Sequence, residues 1–315
     1  MADPSKSTIT LRFDSQTITD AKMLIGEGQL VAVPTETVYG LAADARNAEA
    51  VARIYAAKGR PDFNPLIVHV PDLAAAETLG VFGAIERRLA DRFWPGPLTL
   101  VVPRSPDCPV ASIATAGLDT IAIRVPAHRA MRALLAETGA PLAAPSANAS
   151  GRVSPTRASH VLASLDGRIA LVIDDGPTKA GVESTIVRVK DGAVEILRPG
   201  PVTSDMLGEA SGLPVSGGKG SDIVAPGMLA SHYAPGKPVR LGAVDFAADE
   251  FGIGFGAVAG DYDLSAAGDL TEAAARLFDA LHAGAASAKT KIAVAAIPVE
   301  GLGAAINDRL ARAAV

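Results

Sequence analysis

The sequence predicts a layered α/β protein of two domains, and three observations support this prediction. At 315 residues the chain is too long for one average domain, and its 49% hydrophobic content is too high for a disordered protein. From position 30 to about 208, apolar stretches of strand length alternate with segments of helical periodicity. Aromatic residues make up only 4%, so small aliphatic side chains must build the core, as in many layered α/β folds.

The first domain is expected to alternate strands with helices around a mixed sheet. The predicted strands are 30–33, 66–70, 98–102, 120–125, 171–173, 184–189 and 194–197. The predicted helices are 48–57, with Asn47 as its N-cap, 83–93, 128–137 and 156–165. Because only the four residues KDGA at 190–193 separate the last two strands, a hairpin is expected there. Such a hairpin makes a purely parallel sheet untenable.

A second, smaller α/β domain is expected after a linker. Residues 211–235 are dense in Gly, Ser and Pro without periodicity, which is typical of a linker and places domains at 1–210 and 236–315. In the second domain, 239–241, 254–259 and 292–297 resemble strands, while 266–286 and 302–314 resemble helices. The segment GFGAVAG at 254–260 is close to a dinucleotide-binding fingerprint, but its glycine spacing is wrong, and glycines that permit a tight turn explain it better.

Charge and composition exclude several classes of protein. The 29 basic and 34 acidic residues give a net charge of −5, which argues against non-specific binding of nucleic acid, although a local basic cleft remains compatible with it. The single cysteine, Cys108, excludes an intrachain disulfide framework and fits a reducing compartment. With no apolar stretch long enough for a signal peptide or a membrane span, we expect a cytoplasmic protein that does not enter membranes.

Three common catalytic motifs, GxxxxGK[ST], HExxH and GxSxG, are missing from the sequence. The five histidines are scattered without metal-ligand spacing, so we expect no metal site made by the protein itself. The candidate chemistry lies instead in five polar stretches at the predicted strand ends and Gly/Pro turns of the first domain.

The first two polar stretches are PTETVYGL at 34–41 and KGRPDFNP at 58–65. The first is interpreted as a strand-to-helix loop whose hydroxyls either hold a polar ligand or cap the backbone. In the second, Lys58 and Arg60 form a cationic turn suited to a polyphosphate such as ATP, or a charge pair that faces solvent at a helix C-terminus. His69 follows within LIVHV, where a histidine that is satisfied within the core is the commoner case.

The other three stretches add an arginine at a strand end, a loop of small residues and a second arginine. Alternation along TIAIRVP puts Thr120 and Arg124 on one face, and a buried Arg124 needs an anion from the protein or from a ligand. The loop APSANASG, followed by Ser154, offers small residues and donors to phosphate oxygens, or a purely structural turn. Arg198 ends the strand that follows GVESTIV.

Together these stretches resemble the threonylcarbamoyl-AMP synthase family. The matching text is PTETVYGLAADA, KGRPDFNPLIVHV, FWPGPLTLVV, TIAIRVP, APSANASG, GVESTIV and ILRPGP, in the family's order over about residues 15–208. SHYAP in the linker and the terminal GLGAAINDRLARAA resemble the family's two-domain members. The resemblance implies a YrdC-like twisted mixed sheet flanked by helices, followed by a smaller Rossmann-like α/β domain.

The resemblance also implies a reaction. L-threonine and bicarbonate give an N-carboxylated threonine, whose carbamate oxygen attacks the α-phosphate of ATP to form threonylcarbamoyl-AMP and pyrophosphate. Such a nucleotidyltransferase needs cations and oriented donors rather than a covalent nucleophile. Magnesium would arrive with ATP, held mainly by phosphates and water. The implied partner is the downstream transferase machinery that modifies adenosine next to the tRNA anticodon, and direct tRNA binding stays open.

Carried over by position, the resemblance implies roles for individual residues. The catalytic residues implied are Lys58, Arg60, Ser146 and Asn148. The nucleotide side comprises Arg60, Asn64, Thr120, Ser146, Ser154, Arg198 and, from the linker, Tyr233. The threonine side comprises Thr37, His69, Arg124, Ser184 and Ala144, where some relatives carry threonine.

Two other functions are compatible with the residues. One is a nucleotide- or RNA-binding regulatory module that uses the basic cleft without catalysis. The other is a transferase that applies the same carbamate–adenylate chemistry to another acceptor, although extra metal-binding regions would then be expected. The joint presence of Lys58, Arg60, Ser146 and Asn148 favours the synthase.

Overall fold

The computed structural model describes residues 7–61, 64–217 and 233–314. The strands are β1 (Ile9–Arg12), β2 (Val31–Pro34), β3 (Tyr39–Asp44), β4 (Ile67–His69), β5 (Leu98–Pro103), β6 (Thr120–Arg124), β7 (Leu142–Ala143), β8 (Leu171–Asp174), β9 (Thr185–Lys190), β10 (Ala193–Arg198), β11 (Val215–Gly217), β12 (Val239–Ala243), β13 (Glu250–Gly254), β14 (Tyr262–Asp263) and β15 (Lys291–Ala295). The helices are α1 (Ser15–Gly26), α2 (Ala48–Lys58), α3 (Leu73–Leu79), α4 (Ala84–Phe93), α5 (Arg129–Thr138), α6 (Ala158–Leu165), α7 (Ser204–Ser211), α8 (Leu270–Ala286) and α9 (Leu302–Ala313).

The large sheet is mixed, as predicted. Its order is β1-β8-β2-β3-β7-β4-β6-β5-β9-β10-β11, with β4 parallel to β6 and β5 antiparallel to β6. The hairpin predicted at 190–193 joins β9 to β10 in antiparallel register. Asp191 and Gly192 both have positive φ, 51° and 73°, the pairing that a two-residue hairpin turn requires.

Helices cover both faces of this sheet. Along β2, Ala32 packs into the core that contains α2, α4 and α6, while Val31 and Val33 pack with α1 and α5 on the opposite face. Along β6, Ile121 and Ile123 point into the first of these cores, so Ala122 and Arg124 lie on the other face. Arg124 thus lies on the face opposite the core of α2, α4 and α6.

The stretch PTETVYGL is a strand-to-strand turn, and its predicted role as a strand-to-helix loop is wrong. Pro34 pairs with Tyr39 at the closed end of an antiparallel β2–β3 hairpin. Five of the six residues of β3 are buried, so the strand shows no polar–apolar alternation. It also contains small residues, Gly and Ala, that do not favour strands, so its pattern does not predict a strand.

Several short elements also lie outside the predicted set. The strand β1 adds to the sheet edge beside β8, and α1 follows it with Asp14 as N-cap, whose Oδ1 accepts from Thr17 N at 2.7 Å. The buried Thr17 of α1 blurs the helix's apolar stripe. The helices α3 and α7 have only seven and eight residues, too short for periodicity to identify them.

The second sheet has the order β12-β15-β13-β14, and its pairings are all parallel within the described residues. The helices α8 and α9 pack on it, which gives the smaller Rossmann-like α/β domain expected from the sequence. The strand predicted at 254–259 is wrong, because β13 ends at Gly254 and Phe255 N donates to Val258 O in a turn.

The glycines of this turn serve close packing. A Cβ on Gly254 would lie 2.2 Å from Asp263 Oδ1, and one on Gly260 would lie 2.4 Å from Gly252 O. The helix that follows begins only at Leu270, so these glycines do not open a helix as a dinucleotide-binding fingerprint does.

The predicted linker 211–235 begins inside elements of the large sheet. Ser211 is the last residue of α7, and β11 pairs with β10. Residues 218–232, with the first two residues of SHYAP, lie outside the described residues. Among the residues that are described, no helix is long and apolar enough to cross a membrane.

Candidate active site

A polar cavity lies where the turns and strand ends of the large sheet meet the second domain. Nine of the predicted site residues line it: Thr37, Arg60, His69, Arg124, Ala144, Ser146, Ser184, Arg198 and Tyr233. The lining also contains Thr35, Val38, Gly40, Ile67, Pro145 and Glu183. Five predicted residues do not line the cavity: Lys58, Asn64, Thr120, Asn148 and Ser154.

The arginine at the end of β6 is held by three neighbours. Arg124 donates from Nη2 to Glu36 Oε1 at 2.5 Å, from Nη1 to Thr37 Oγ1 at 2.9 Å and from Nε to Gly96 O at 3.1 Å. Burial alone would raise the pKa of Glu36, but the charge and hydrogen bond of Arg124 hold that pKa below its usual value. The buried arginine therefore has a protein carboxylate as its anion, and this part of the cavity is close to neutral.

His69 lies beside this pair on β4, in register with Arg124 of β6. Burial, reinforced by repulsion from Arg124, lowers the pKa of His69 to about 3, so its ring is neutral at pH 7. Its Nδ1 has no hydrogen-bond partner among the described residues. A buried polar atom that lines a cavity without a partner is available to a ligand.

Lys58 closes the C-terminus of α2 and does not face solvent, which decides against the surface charge pair. Its Nζ donates to Ser146 O and Asn148 O, both at 2.5 Å. Gly59 follows with φ of 59°, the left-handed conformation that lets the chain turn back toward the cavity. Burial, and then repulsion from Arg60, lower the pKa of Lys58 well below its usual value.

Arg60 enters the cavity just after this turn. Its Nη2 donates to the carbonyl oxygens of Asn64 and Pro65 at 3.3 and 3.1 Å, and its Nε has no partner among the described residues. Burial lowers its pKa to about 10. Arg60 thus carries a positive charge with carbonyl contacts only, which suits an incoming anion.

The loop APSANASG is fastened to β3 by backbone bonds. Leu41 N donates to Pro145 O at 2.7 Å and Ala147 N donates to Tyr39 O at 2.8 Å. Ser146 lines the cavity, whereas Asn148 lies behind it, with Nδ2 donating to Ala149 O and Arg152 O. The Oδ1 of Asn148 has no partner among the described residues.

Arg198, at the end of β10, is the third cation of the cavity wall. Its Nε and Nη2 donate to Ser184 O at 3.1 and 2.9 Å, and Nη2 also donates to Ser184 Oγ at 3.0 Å. Burial lowers its pKa to about 10. The turn after it approaches closely, because a Cβ on Gly200 would lie 2.6 Å from Glu183 O.

Two carboxylates at the site, Glu183 in the cavity wall and Glu36 behind Arg124, lie within the quoted motifs but had no predicted role. Glu183 accepts from Ser154 Oγ at 2.5 Å and from Arg309 Nε at 2.9 Å. The sequence does indicate a role for each glutamate. Both lie in motifs that are otherwise apolar or rich in hydroxyls, next to a buried strand end, and a buried carboxylate there needs a cation. Ser154 therefore reaches the cavity through Glu183.

The linker residue Tyr233 is fully buried and has a positive φ of 66°. Its ring stacks on Phe278 of α8 with centroids 5.4 Å apart, and burial raises its pKa to about 12.

Thr120 is the first residue of β6 and pairs with Pro103 of β5. It lies four residues before Arg124, so alternation puts both side chains on one face of the sheet. Only Arg124 reaches the cavity.

Within the described ranges, no group of three or more His, Cys, Asp or Glu side chains is arranged to hold a metal ion. The cavity combines a charge-balanced half, around Arg124 and Glu36, with a half rich in cations, around Arg60 and Arg198. Such an arrangement on an α/β sheet is typical of an enzyme that binds a zwitterion beside a phosphorylated ligand.

Comparison with known proteins agrees with this class. A family model for the Sua5/YciO/YrdC family, described as "Telomere recombination", matches residues 23–200. A second, described as "Threonylcarbamoyl-AMP synthase, C-terminal domain", matches residues 202–315. The threonylcarbamoyl-AMP synthase of Bacillus subtilis (strain 168) is 42% identical over 94% of this chain and 92% of the relative. That of Pyrococcus abyssi (strain GE5 / Orsay) is 40% identical over 96% and 95%.

The chain belongs to the threonylcarbamoyl-AMP synthase family. A crystal structure of P. abyssi Sua5 complexed with L-threonine superposes with a TM-score of 0.87 at 36% identity, covering 98% of this chain and 97% of that one. The family and the fold class inferred from the sequence motifs are thus confirmed.

Proposed function

We propose that this chain makes L-threonylcarbamoyladenylate and pyrophosphate from L-threonine, bicarbonate and ATP, as a nucleotidyltransferase. The observation that carries the proposal is the division of one cavity into a neutral half and a cationic half. P. abyssi Sua5 forms a crystalline complex with L-threonine, and 40–42% identity to curated synthases over nearly the whole chain supports the same substrate here.

We assign the amino acid to the neutral half. Free threonine is a zwitterion with no net charge. A site in which the charges of Arg124 and Glu36 cancel can bind it without acquiring a net buried charge. In this assignment Arg124 meets the carboxylate and shares it with Thr37, while the partnerless Nδ1 of neutral His69 receives or donates a further hydrogen bond. Ala144 and Ser184 complete this side.

We assign the triphosphate to the cationic half. Arg60 and Arg198 make hydrogen bonds to carbonyl and hydroxyl oxygens only, so each can exchange them for a phosphate oxygen. Lys58, Ser146 and Asn148 hold one another through the loop carbonyls and set the wall on which the α-phosphate rests. Asn64, Thr120, Ser154 and Tyr233 belong to the nucleotide side in this assignment.

The chemistry follows from these placements. The threonine ammonium first loses a proton to water, and bicarbonate then carboxylates the free amine with loss of water. A carbamate oxygen attacks the α-phosphate while pyrophosphate leaves. Attack of one anion on another is slow unless positive groups are already in place, and Arg60 and Arg198 supply them at the cavity wall. Lys58 acts from behind this wall by holding the carbonyls of Ser146 and Asn148. Mg²⁺ would enter on the ATP phosphates, since the described residues offer it no carboxylate cluster.

The product is a mixed anhydride that reacts readily with nucleophiles. We propose that a tRNA threonylcarbamoyl transferase takes it up in the cytoplasm and modifies the adenosine next to the anticodon. We assign residues 1–210 to the catalytic domain and 236–315 to the accessory domain, joined through 211–235.

The decisive experiment measures pyrophosphate release from ATP and Mg²⁺ by the purified protein, with threonine or bicarbonate left out in turn. Release that requires both, together with a nucleotide product of the mass of threonylcarbamoyl adenylate, is the expected result. Binding of ATP without pyrophosphate under any combination would overturn the proposal and leave a non-catalytic nucleotide- or RNA-binding module.

A further inference from the structure

The second domain contributes one buried cation that pairs with a residue of the cavity wall. Arg309, on α9, is fully buried, and its Nε donates to Glu183 Oε2 at 2.9 Å. Its Nη1 donates to Asp308 Oδ2 at 2.7 Å. Because Glu183 belongs to the large-sheet domain and lines the cavity, this ion pair couples the second domain to the site itself.

The charges of two arginines act on Glu183. Arg309 donates to its carboxylate, whereas Arg198 donates to the backbone and hydroxyl of the adjacent Ser184 and makes no hydrogen bond to a carboxylate among the described residues. Burial would raise the pKa of Glu183, but the charges of Arg309 and then Arg198 lower it to about 2, so it stays ionised. One buried carboxylate is thus shared, unequally, by two cations.

The sharing determines what Arg198 can bind. A buried carboxylate without a partner is strongly unfavourable, so it captures the nearest available cation. If Arg309 were absent, Ser154 would remain as a neutral partner of Glu183, and Arg198 would be the arginine left to balance the charge of Glu183. The charge of Arg198 would then be neutralised by Glu183. An arginine already paired to a carboxylate attracts a phosphate oxygen far less than one held by carbonyl and hydroxyl oxygens.

The packing around the pair leaves little room for another solution. The guanidinium of Arg309 lies over the Tyr233 ring, 5.5 Å from its centroid. Two residues before Glu183 in the chain, a Cβ on Gly181 would lie 2.3 Å from Ala274 O, so the backbones of the two domains touch at that position. Such close contacts disfavour the entry of water that could solvate a freed Glu183.

We propose that Arg309 is a positioning residue for the nucleotide half of the site: by neutralising Glu183 from the second domain, it keeps Arg198 free to bind the triphosphate. The proposal rests on the assignment of Arg198 to the nucleotide side. It gives the second domain an indirect part in ATP binding, through Glu183 and Arg198, and none in threonine binding.

Four variants test this division: Arg309→Met, Arg309→Lys, Glu183→Gln and the double variant Glu183→Gln/Arg309→Met. The first readout is the Kd for ATP, measured by titration calorimetry without threonine or bicarbonate. The second is the pair of KM values, for ATP and for threonine, from pyrophosphate release. Arg309→Met is expected to weaken ATP binding by about tenfold or more, the scale of one charge-assisted contact, with the KM for threonine within about twofold.

Rescue separates positioning from mere structural support. In the double variant no buried carboxylate remains to capture Arg198, so its Kd for ATP is expected to return to within about threefold of the unmodified protein. Arg309→Lys keeps the charge and is expected to keep most of the affinity. The double variant removes the buried carboxylate together with the arginine that pairs with it, so it reports on the proposal even if Arg309→Met fails to fold.

Arg157→Met is the matched control. Arg157 also forms an ion pair between the domains, with its Nη2 2.5 Å from Asp279 Oδ2 on α8. Unlike Arg309, its side chain is 49% exposed, and its partner does not line the cavity. Its loss is expected to leave both KM values unchanged.

Three results would overturn the proposal. They are an Arg309→Met variant that binds ATP as tightly as the unmodified protein, a double variant as weak as Arg309→Met, and equal effects on threonine and ATP. Since ATP binding is measured without turnover, these outcomes are distinct from a failure of the synthase function, which would appear as absent pyrophosphate from a protein that still binds ATP.

Discussion

The two halves of the cavity are built from the same residue type in opposite electrostatic states. In one half, Arg124 is matched by the carboxylate of Glu36 and by the hydroxyl of Thr37. In the other, Arg60 and Arg198 are held by carbonyl and hydroxyl oxygens, and burial lowers both pKa values to about 10. A negative charge brought by a ligand would offset this effect of burial and stabilise both charged side chains.

The contrast between the halves indicates where each kind of ligand belongs. Binding a net charge is unfavourable in the half that is already neutral, whereas binding a zwitterion there is favourable. A half in which arginines outnumber carboxylates gains most from a polyanion, since folding has already removed the arginines from water. Substitutions on either side test this division.

The largest effect is expected from the cationic half. Arg60→Gln removes a cation that faces the cavity, and loss of one such preorganised group typically lowers the rate about a hundredfold to a thousandfold. Steady-state pyrophosphate release measures it. Arg46→Gln is the control, because Arg46 pairs with Asp44 at the surface with 45% of its side chain exposed. Equal rates for the two variants would refute the role given to Arg60.

A smaller effect is expected from the neutral half. Arg124→Lys keeps a positive charge beside Glu36 but loses the guanidinium group, whose several donors can reach Thr37 and the threonine carboxylate together. The KM for threonine should therefore rise about tenfold to a hundredfold. The KM for ATP should change little. Arg129→Lys, in an exposed pair with Asp175, is the matched control. A larger change for ATP than for threonine would reverse the assignment of the two halves.

The neutrality of His69 predicts how stability depends on pH. Its pKa is about 3 in the folded chain because of burial and repulsion by Arg124, against about 6.5 unfolded. Between these two pKa values His69 is protonated in the unfolded chain and neutral in the folded chain. The free energy of unfolding therefore falls as the pH drops below 6.5, by up to about 1.4 kcal/mol per pH unit from this group.

Urea unfolding between pH 4.5 and 7.5 checks this prediction. His69→Asn should flatten the loss of stability toward acid, whereas Ile67→Val, a neighbour on β4 without a titratable group, should keep the original slope. The same slope in His69→Asn as in the unmodified chain would mean that His69 is charged or exposed in the folded protein.

The smallest effect is expected at Ala144. Ala144→Thr adds a hydroxyl to the wall of the neutral half, and one new hydrogen bond should lower the KM for threonine by no more than about tenfold. The KM for ATP serves as the internal control. A rise in the KM for threonine would show instead that the methyl and hydroxyl overfill this wall.

Much of the large sheet was predictable, because strands such as β5 and β6 have apolar runs and the β9–β10 hairpin has a turn that favours positive φ. The elements that sequence analysis missed are of a different kind. The strand β3 is buried on both faces and lacks alternation, and β1 and β11 are edge strands of four and three residues that depend on their neighbours. Period alone cannot identify them.

For the site, family motifs predicted nine of the residues that line the cavity, yet they left Glu36 and Glu183 without a role. A motif indicates that residues act together but does not say which cation meets which carboxylate. Arg309 shows the same gap. It lies three residues after Ile306 and one before Leu310 on the buried stripe of α9, and only its partner in the other domain explains a charge there.

The family, the mixed sheet and the set of polar residues could all be inferred from the order of amino acids, because hydrophobic period and ordered motifs are local properties of the chain. The charge of each half of the cavity, in contrast, is set only when the chain folds. Arg124 and Glu36 are 88 positions apart, and Glu183 and Arg309 are 126 apart. Coulombic interactions act through space with a strength set by distance and burial, neither of which the order of residues contains.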